Sequence, residues 1–254
     1  MKWSWVETHS TLARSQNWGH SMQFNFSQAT GSCAGILILG AVVSLTGAAR
    51  PTQNGMFDTL TVQRIDVREP DGTLRMVISD AARAPGIIIK GHEQPHPSRQ
   101  SAGMIFFNSE GTENGGLIFD GKQSSDGTRQ SSGSLTFDRY EQDQIVQLMQ
   151  SEDGQTRSGG IVVNDQPEQT MDWAALDRAR SLQGAAQLAA FKAAHAGGTQ
   201  RAFLGRAEDK SSELVLRDEA GRKRLILHVS AAGDASIAFL DASGKITRRL
   251  DGVQ

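Results

Sequence analysis

A second cysteine is missing from this sequence. Cys33 stands alone in 254 residues, so no intramolecular disulfide can form and no zinc site can be built from thiolates. A charge bias is missing too. The formal net charge is −2, and no Lys/Arg cluster interrupts that evenness, which removes the electrostatic footprint of a nucleic-acid binder. Nucleic acid is therefore not an expected partner. Aromatic residues make up only 6% of the chain, and beyond the first fifty residues Trp173 and Tyr140 are the only Trp and Tyr. Sugar chemistry, which leans on aromatic platforms, is disfavoured on that ground even though Asp138, Glu141 and Asp143 could supply paired carboxylates.

Glycine is plentiful, at 27 residues, and it falls in a pattern. Short apolar segments end in Asp or Asn and run into a Gly turn, as in Leu214-Val215-Leu216-Arg217-Asp218 before Gly221 and Ile237-Ala238-Phe239-Leu240-Asp241 before Gly244. Further copies are Met104–Asn108, Leu117–Asp120, Leu135–Asp138 and Ile161–Asp165. In Glu69-Pro70-Asp71-Gly72, Pro suits a type I turn and Gly is ready for positive φ at a bulge, which predicts a hairpin. The spacing predicts a mainly β fold of short antiparallel strands or hairpin repeats, with solenoid, barrel and sandwich all open. Gly115-Gly116 and Gly159-Gly160, which precede apolar segments, read as turns. Arg75, Arg157 and Arg224 recur three residues after a turn Gly and are expected to pair with turn carboxylates.

The first fifty residues differ from the rest. Residues 1–32 form a polar segment expected to be disordered, and 33–50 run almost without charge through AGILILGAVVSLTGAA to Arg50. Seventeen residues from Cys33 would make about 25 Å of helix, slightly short of a roughly 30 Å hydrocarbon core. This N-terminal hydrophobic helix is expected to be a retained single-pass membrane anchor, with the C-terminal part outside the cytoplasm. Cleavage near Ala49, giving a periplasmic or secreted product, is the alternative, and Met22 is an alternative start. After a linker at 51–56, β-repeat regions are expected at 57–165 and 201–254, separated by a helical insertion at 166–200. Within it, Met171 to Ala196 is Ala-rich, with Thr170 as N-cap, Gly197-Gly198 as a stop and Gly184 as a break that could divide it into two helices.

Glu69 to Ile78, Asp218 to Leu227 and, more loosely, Asp241 to Leu250 carry a strand-Asp-x-x-Gly-x-x-Arg unit. In this the chain resembles an uncharacterised group of bacterial envelope proteins. The resemblance implies bacterial origin and a β-rich fold, and it brings no activity with it.

Chemistry is harder to find. His92-Glu93-Gln94-Pro95-His96 matches the HExxH spacing of zinc peptidases, where a helix puts both imidazoles on one face with Glu beside the metal-bound water. Pro95 and Pro97 forbid that helix, so His92, Glu93 and His96 are expected in a loop, solvated, and only as remote metal candidates. No catalytic residue and no cofactor is assigned. The expected role is a structural or interaction module, tethered to a membrane through 33–50, with a protein partner or self-association through open β edges. A metal-binding protein or hydrolase using the His92-His96 loop, and a ligand-binding β domain with a pocket under the inserted helix, are the alternatives.

Overall fold

A computed structural model describes residues 54–96 and 99–252. The chain divides into two units, Met1–Asp58 and Thr59–Gln254, and the second holds every element named below. The expected N-terminal segment and the hydrophobic segment 33–50 lie outside the described residues. Among the described residues, no helix is long and apolar enough to cross a membrane.

Twelve strands form one antiparallel sheet. In chain order the strands are β1 (Arg64–Arg68), β2 (Leu74–Ser79), β3 (Ile87–Ile89), β4 (His92–Gln94), β5 (Ala102–Phe107), β6 (Glu113–Gln123) and β7 (Arg129–Asp138). They continue as β8 (Gln144–Asp153), β9 (Thr156–Asp165), β10 (Thr199–Arg206), β11 (Ser212–Arg217), β12 (Lys223–Val229), β13 (Ala235–Leu240) and β14 (Ile246–Asp251). The small β3–β4 hairpin stands apart, and all the others pair in sequence order from β1 at one edge to β14 at the other. The sheet is an open meander. Of the architectures that the repeats left possible, the closed barrel is thereby excluded: it would need β1 to pair with β14.

The turns are the repeating device. Eight of them share two backbone bonds, one from residue i+3 N–H back to carbonyl i and one from N–H i to carbonyl i+4, as at Glu69, Asn108, Asp218 and Asp241. Position i+3 has positive φ in seven, six times Gly and once Lys210, which is where a type I turn with a G1 bulge needs it. The side chain at the turn then caps its own loop. Asp218 Oδ1 accepts from the Ala220 and Arg222 amides, and Asp241 Oδ1 from the Ser243 and Lys245 amides. Arg75 and Arg224 reach the turn residues Glu69 and Asp218 at 2.6 and 3.4 Å, as their spacing suggested, whereas Arg157 pairs at 3.0 Å with Glu152, its cross-strand neighbour in β8.

Glycine does a second job that the sequence pattern disguised. Gly115, Gly116, Gly159 and Gly160 are inside β6 and β9, not in turns as expected. A Cβ on Gly160 would lie 2.4 Å from the Leu204 carbonyl oxygen, one on Gly205 2.2 Å from that of Gly159, and one on Gly103 2.2 Å from that of Leu117. Neighbouring backbone occupies the space that a side chain would take at β5–β6 and β9–β10, where the Phe203 ring lies over Gly160 and Gly205.

The sheet has two unlike faces. On the packed face are Val77, Ile105, Phe107, Val162, Val215 and Ala238, all buried. Its densest part joins Leu74, Val77, Ile105 and Phe107 to Ile88 of the β3–β4 hairpin. The open face carries a ladder of aliphatic residues in exact register. It runs Ile65, Ile78, Met104, Leu117, Leu135 and Leu148 through β1 to β8. Through β9 to β14 it continues as Ile161, Leu204, Leu214, Leu227, Ile237 and Leu250.

The helical insertion is a pair, α1 (Trp173–Arg180) and α2 (Gly184–Ala193), divided at Gly184, whose φ is +60°. Asp172, not Thr170, caps α1 by accepting from the Ala175 amide at 2.9 Å. The insertion joins β9 to β10, which pair directly, so the two β-repeat regions are parts of one sheet.

Candidate functional site

Three carboxylates, Glu113 from one part of the sequence and Asp138 and Asp143 from another, meet on the packed face, at the end where the β5–β6 and β7–β8 turns lie. Glu113 opens β6, Asp138 closes β7, and Asp143 ends the β7–β8 turn. Arg99 is their counter-charge, with only 7% of its side chain exposed, and it donates through Nη2 to Glu113 Oε1 at 2.5 Å. Its Nη1 donates to the carbonyls of Pro85 and Gly86 at 2.9 and 2.7 Å, pinning the base of the β3–β4 hairpin to the sheet. One guanidinium does not balance three carboxylates. Burial pushes the Asp138 carboxyl up to about 8, and the neighbouring Glu113 and Asp143 charges add to that. Glu113 and Asp143 are raised as well, both chiefly by burial, with Arg99 pulling Glu113 the other way.

The surroundings of this cluster are structural contacts. The hairpin tip is held by the Lys90 amide donating to Thr112 Oγ1 at 2.9 Å and by Lys90 Nζ pairing with Glu141 at 2.6 Å. On the other side, buried Gln142 donates to the carbonyls of Gln169 and His195 at 2.5 and 2.9 Å, tying the helical insertion to the β7–β8 turn. Arg139 in the same turn pairs with Glu168 at 2.5 Å. Glu141 itself has φ +48°, which sets that turn apart from the Gly-bearing ones. Among the described residues, no group of three or more His, Cys, Asp or Glu is arranged to hold a metal ion.

The HExxH residues are placed differently from the expectation of a loop. His92 and Glu93 lie in strand β4, where successive side chains point to opposite sides, and Glu93 Oε1 accepts from the Gly86 amide at 2.6 Å. His96 follows the strand. Its imidazole is pushed down to about 4 by burial and then by the Arg99 and Arg180 guanidiniums, so it is neutral at pH 7. A surface depression of about 540 Å³ adjoins Arg139, Val163, Gln166 and Glu168, and no residue of either helix lines it.

The other conspicuous feature is the open face. Besides the aliphatic ladder, a second row two residues along holds Val67, Phe137, Val163, Leu216 and Phe239, with Arg248 at its end. Twelve large apolar side chains of this face are 37–55% exposed, Leu148 and Leu204 at 54% among them. Isolated exposed leucines are ordinary, but a contiguous row is not. The sequence showed each strand's alternation and could not show that the rows line up, because register is set by the turns. Glu113 was also missed, since nothing in its local sequence marks it, whereas Asp138 and Asp143 were noticed as neighbours in sequence.

Compared with models of known protein families and with curated proteins, the sequence matches none.

Proposed function

We propose that this protein is a non-catalytic interaction module whose working surface is the open face of the twelve-stranded sheet. The observation that carries this reading is the aliphatic ladder, in register across every strand of the sheet, with Leu148, Ile161, Leu204, Leu227 and Leu250 each more than a third exposed. A sheet needs one apolar face to fold, and here the packed face meets that need. An apolar second face adds nothing to a lone chain and invites association, so its presence marks a docking surface. Arg99 and Glu113 serve this surface by fixing the hairpin to the sheet, and Gln142 and Arg139 by tying the helical insertion to the β7–β8 turn. Residues 33–50 would tether the module to a membrane.

Photo-crosslinking in cells tests the reading. A photoreactive side chain in place of Leu148 or Leu204 should give a covalent adduct with a protein, and one in place of Glu219, on an exposed turn, should not. Absence of any adduct from either face position would contradict it.

A further inference from the structure

The open face invites the question of what covers it. Of its twelve half-exposed apolar side chains, the ten that lie in the two rows leave roughly 750 Å² of accessible surface, more than the few hundred Å² typical of a monomer's largest apolar patch and close to the ~800 Å² that each partner contributes to a standard stable interface. Its shape narrows the choice of occupant. The apolar band is two residue rows tall, because the third row mixes Phe119 and Val229 with Gln150, Arg206 and Ser212. Two rows cover about 10 Å along the strands, against the ~25 Å band of a lipid-facing sheet. A bilayer core therefore does not fit this surface, and a protein face of the same narrow, elongated form does.

Charge narrows it again. The edge strand β1 carries Arg64 and Arg68 around Asp66, and the opposite edge β14 carries Arg248 and Arg249 before Asp251, so both edges are net basic. Copies meeting edge to edge would bring like charges together, a recognised guard against strand addition. Within the sheet interior the two apolar rows contain no charge, so nothing opposes contact face to face. Every strand contributes an aliphatic residue at the same height, and a ladder of that kind is complementary to another of its own kind.

We propose that the open face is covered by the same face of a second copy of this chain. This rests on reading the open face as a docking surface, and it commits the occupant to self. Sheet packs on sheet, with Leu148 and Leu204 near the centre and the basic edges outside.

The full-length chain, extracted in mild detergent, is weighed by native mass spectrometry at tens of micromolar. It should carry the mass of two or more chains, and Leu148→Lys with Leu204→Lys should reduce it to one chain while the far-UV circular dichroism stays β-type. Leu148→Gln with Leu204→Gln, a milder pair, serves if the Lys variant does not fold. In a Cys33→Ser background, Leu204→Cys should form a disulfide-linked dimer on mild oxidation, and Glu219→Cys should not. A single-chain mass for the unaltered protein, or a multimer that survives both substitution pairs, overturns the proposal. If the unaltered protein is a single chain while Leu204 crosslinks in cells to a different protein, self-pairing fails and the docking reading stands; if no crosslink forms at all, both fail.

Discussion

Val215 and Leu216 are consecutive residues of one strand, both aliphatic, both in the middle of the same sheet. Val215 is 1% exposed and Leu216 is 39% exposed. The same contrast holds between Val162 and Ile161 or Val163, and between Ala238 and Phe239. Hydrophobicity does not distinguish the two faces. What does is what each face packs against: on one side the glycines at 103, 160 and 205 leave no room for a side chain beside the neighbouring backbone, and Ile88 of the β3–β4 hairpin packs on Leu74, Val77, Ile105 and Phe107. The lesson is that consecutive apolar residues, which normally mark a strand buried on both faces, here divide between a buried face and an exposed one, the face proposed as an interface.

The contrast is broken most severely at its origin. Gly160→Ala places a methyl 2.4 Å from the Leu204 carbonyl oxygen and 2.9 Å from the Gly205 Cα, backbone atoms that no rotamer change can move. We expect a loss of about 3 kcal/mol or more of folding stability, read by chemical denaturation. The adjacent pair in β11 sharpens it. Val215→Ala should cost about 2 kcal/mol, whereas Leu216→Ala should cost under about 1 kcal/mol in a dissociated chain, its effect appearing in association. Equal costs in dilute protein would mean that the two faces are equivalent after all.

The carboxylate cluster belongs to the packed face and gives it a pH dependence that the open face lacks. Asp138 ionises near 8 when folded and near 3.8 ordinarily, so between those values the folded protein holds a proton that the unfolded chain has released. The contribution of Asp138 to stability is therefore complete below about pH 4 and is lost as pH rises towards 8. Asp138→Asn should flatten that slope in urea melts and raise stability at pH 8 by on the order of 1–2 kcal/mol. A steeper slope in the variant would contradict the burial of this group. The smallest effect is expected at the repeating arginines: Arg224→Ala removes an exposed ion pair with Asp218 and should cost under about 1 kcal/mol in the same assay.

Much of this fold was legible in the chain. The Glu69-Pro70-Asp71-Gly72 turn, the strands that end in Asp218 and Asp241, and the arginine partners of turn carboxylates all follow local rules, and local rules decide hairpins. The glycine pairs misled because glycine means positive φ in one place and close backbone approach in another, and only the neighbouring strand tells which. Asp172 caps α1 in place of Thr170 because the helix begins at Trp173, two residues later than the Met171 start that the apolar pattern alone indicates. The carboxylate cluster and the ladder depend on which strands lie side by side, a property of turn register spread over the whole chain, and no single segment encodes it.

The central claim is that the open face is covered in the working protein and the packed face is covered by the fold itself. Hydroxyl-radical footprinting of the full chain, in the concentrated native cell fraction that holds it and again after dilution, compares the two directly. The account predicts that Leu148, Leu204 and Leu216 are protected in the concentrated native preparation and become oxidised on dilution, while Val215 stays protected in both. Equal oxidation of the three leucines in both preparations would show that nothing covers the open face, and would contradict it.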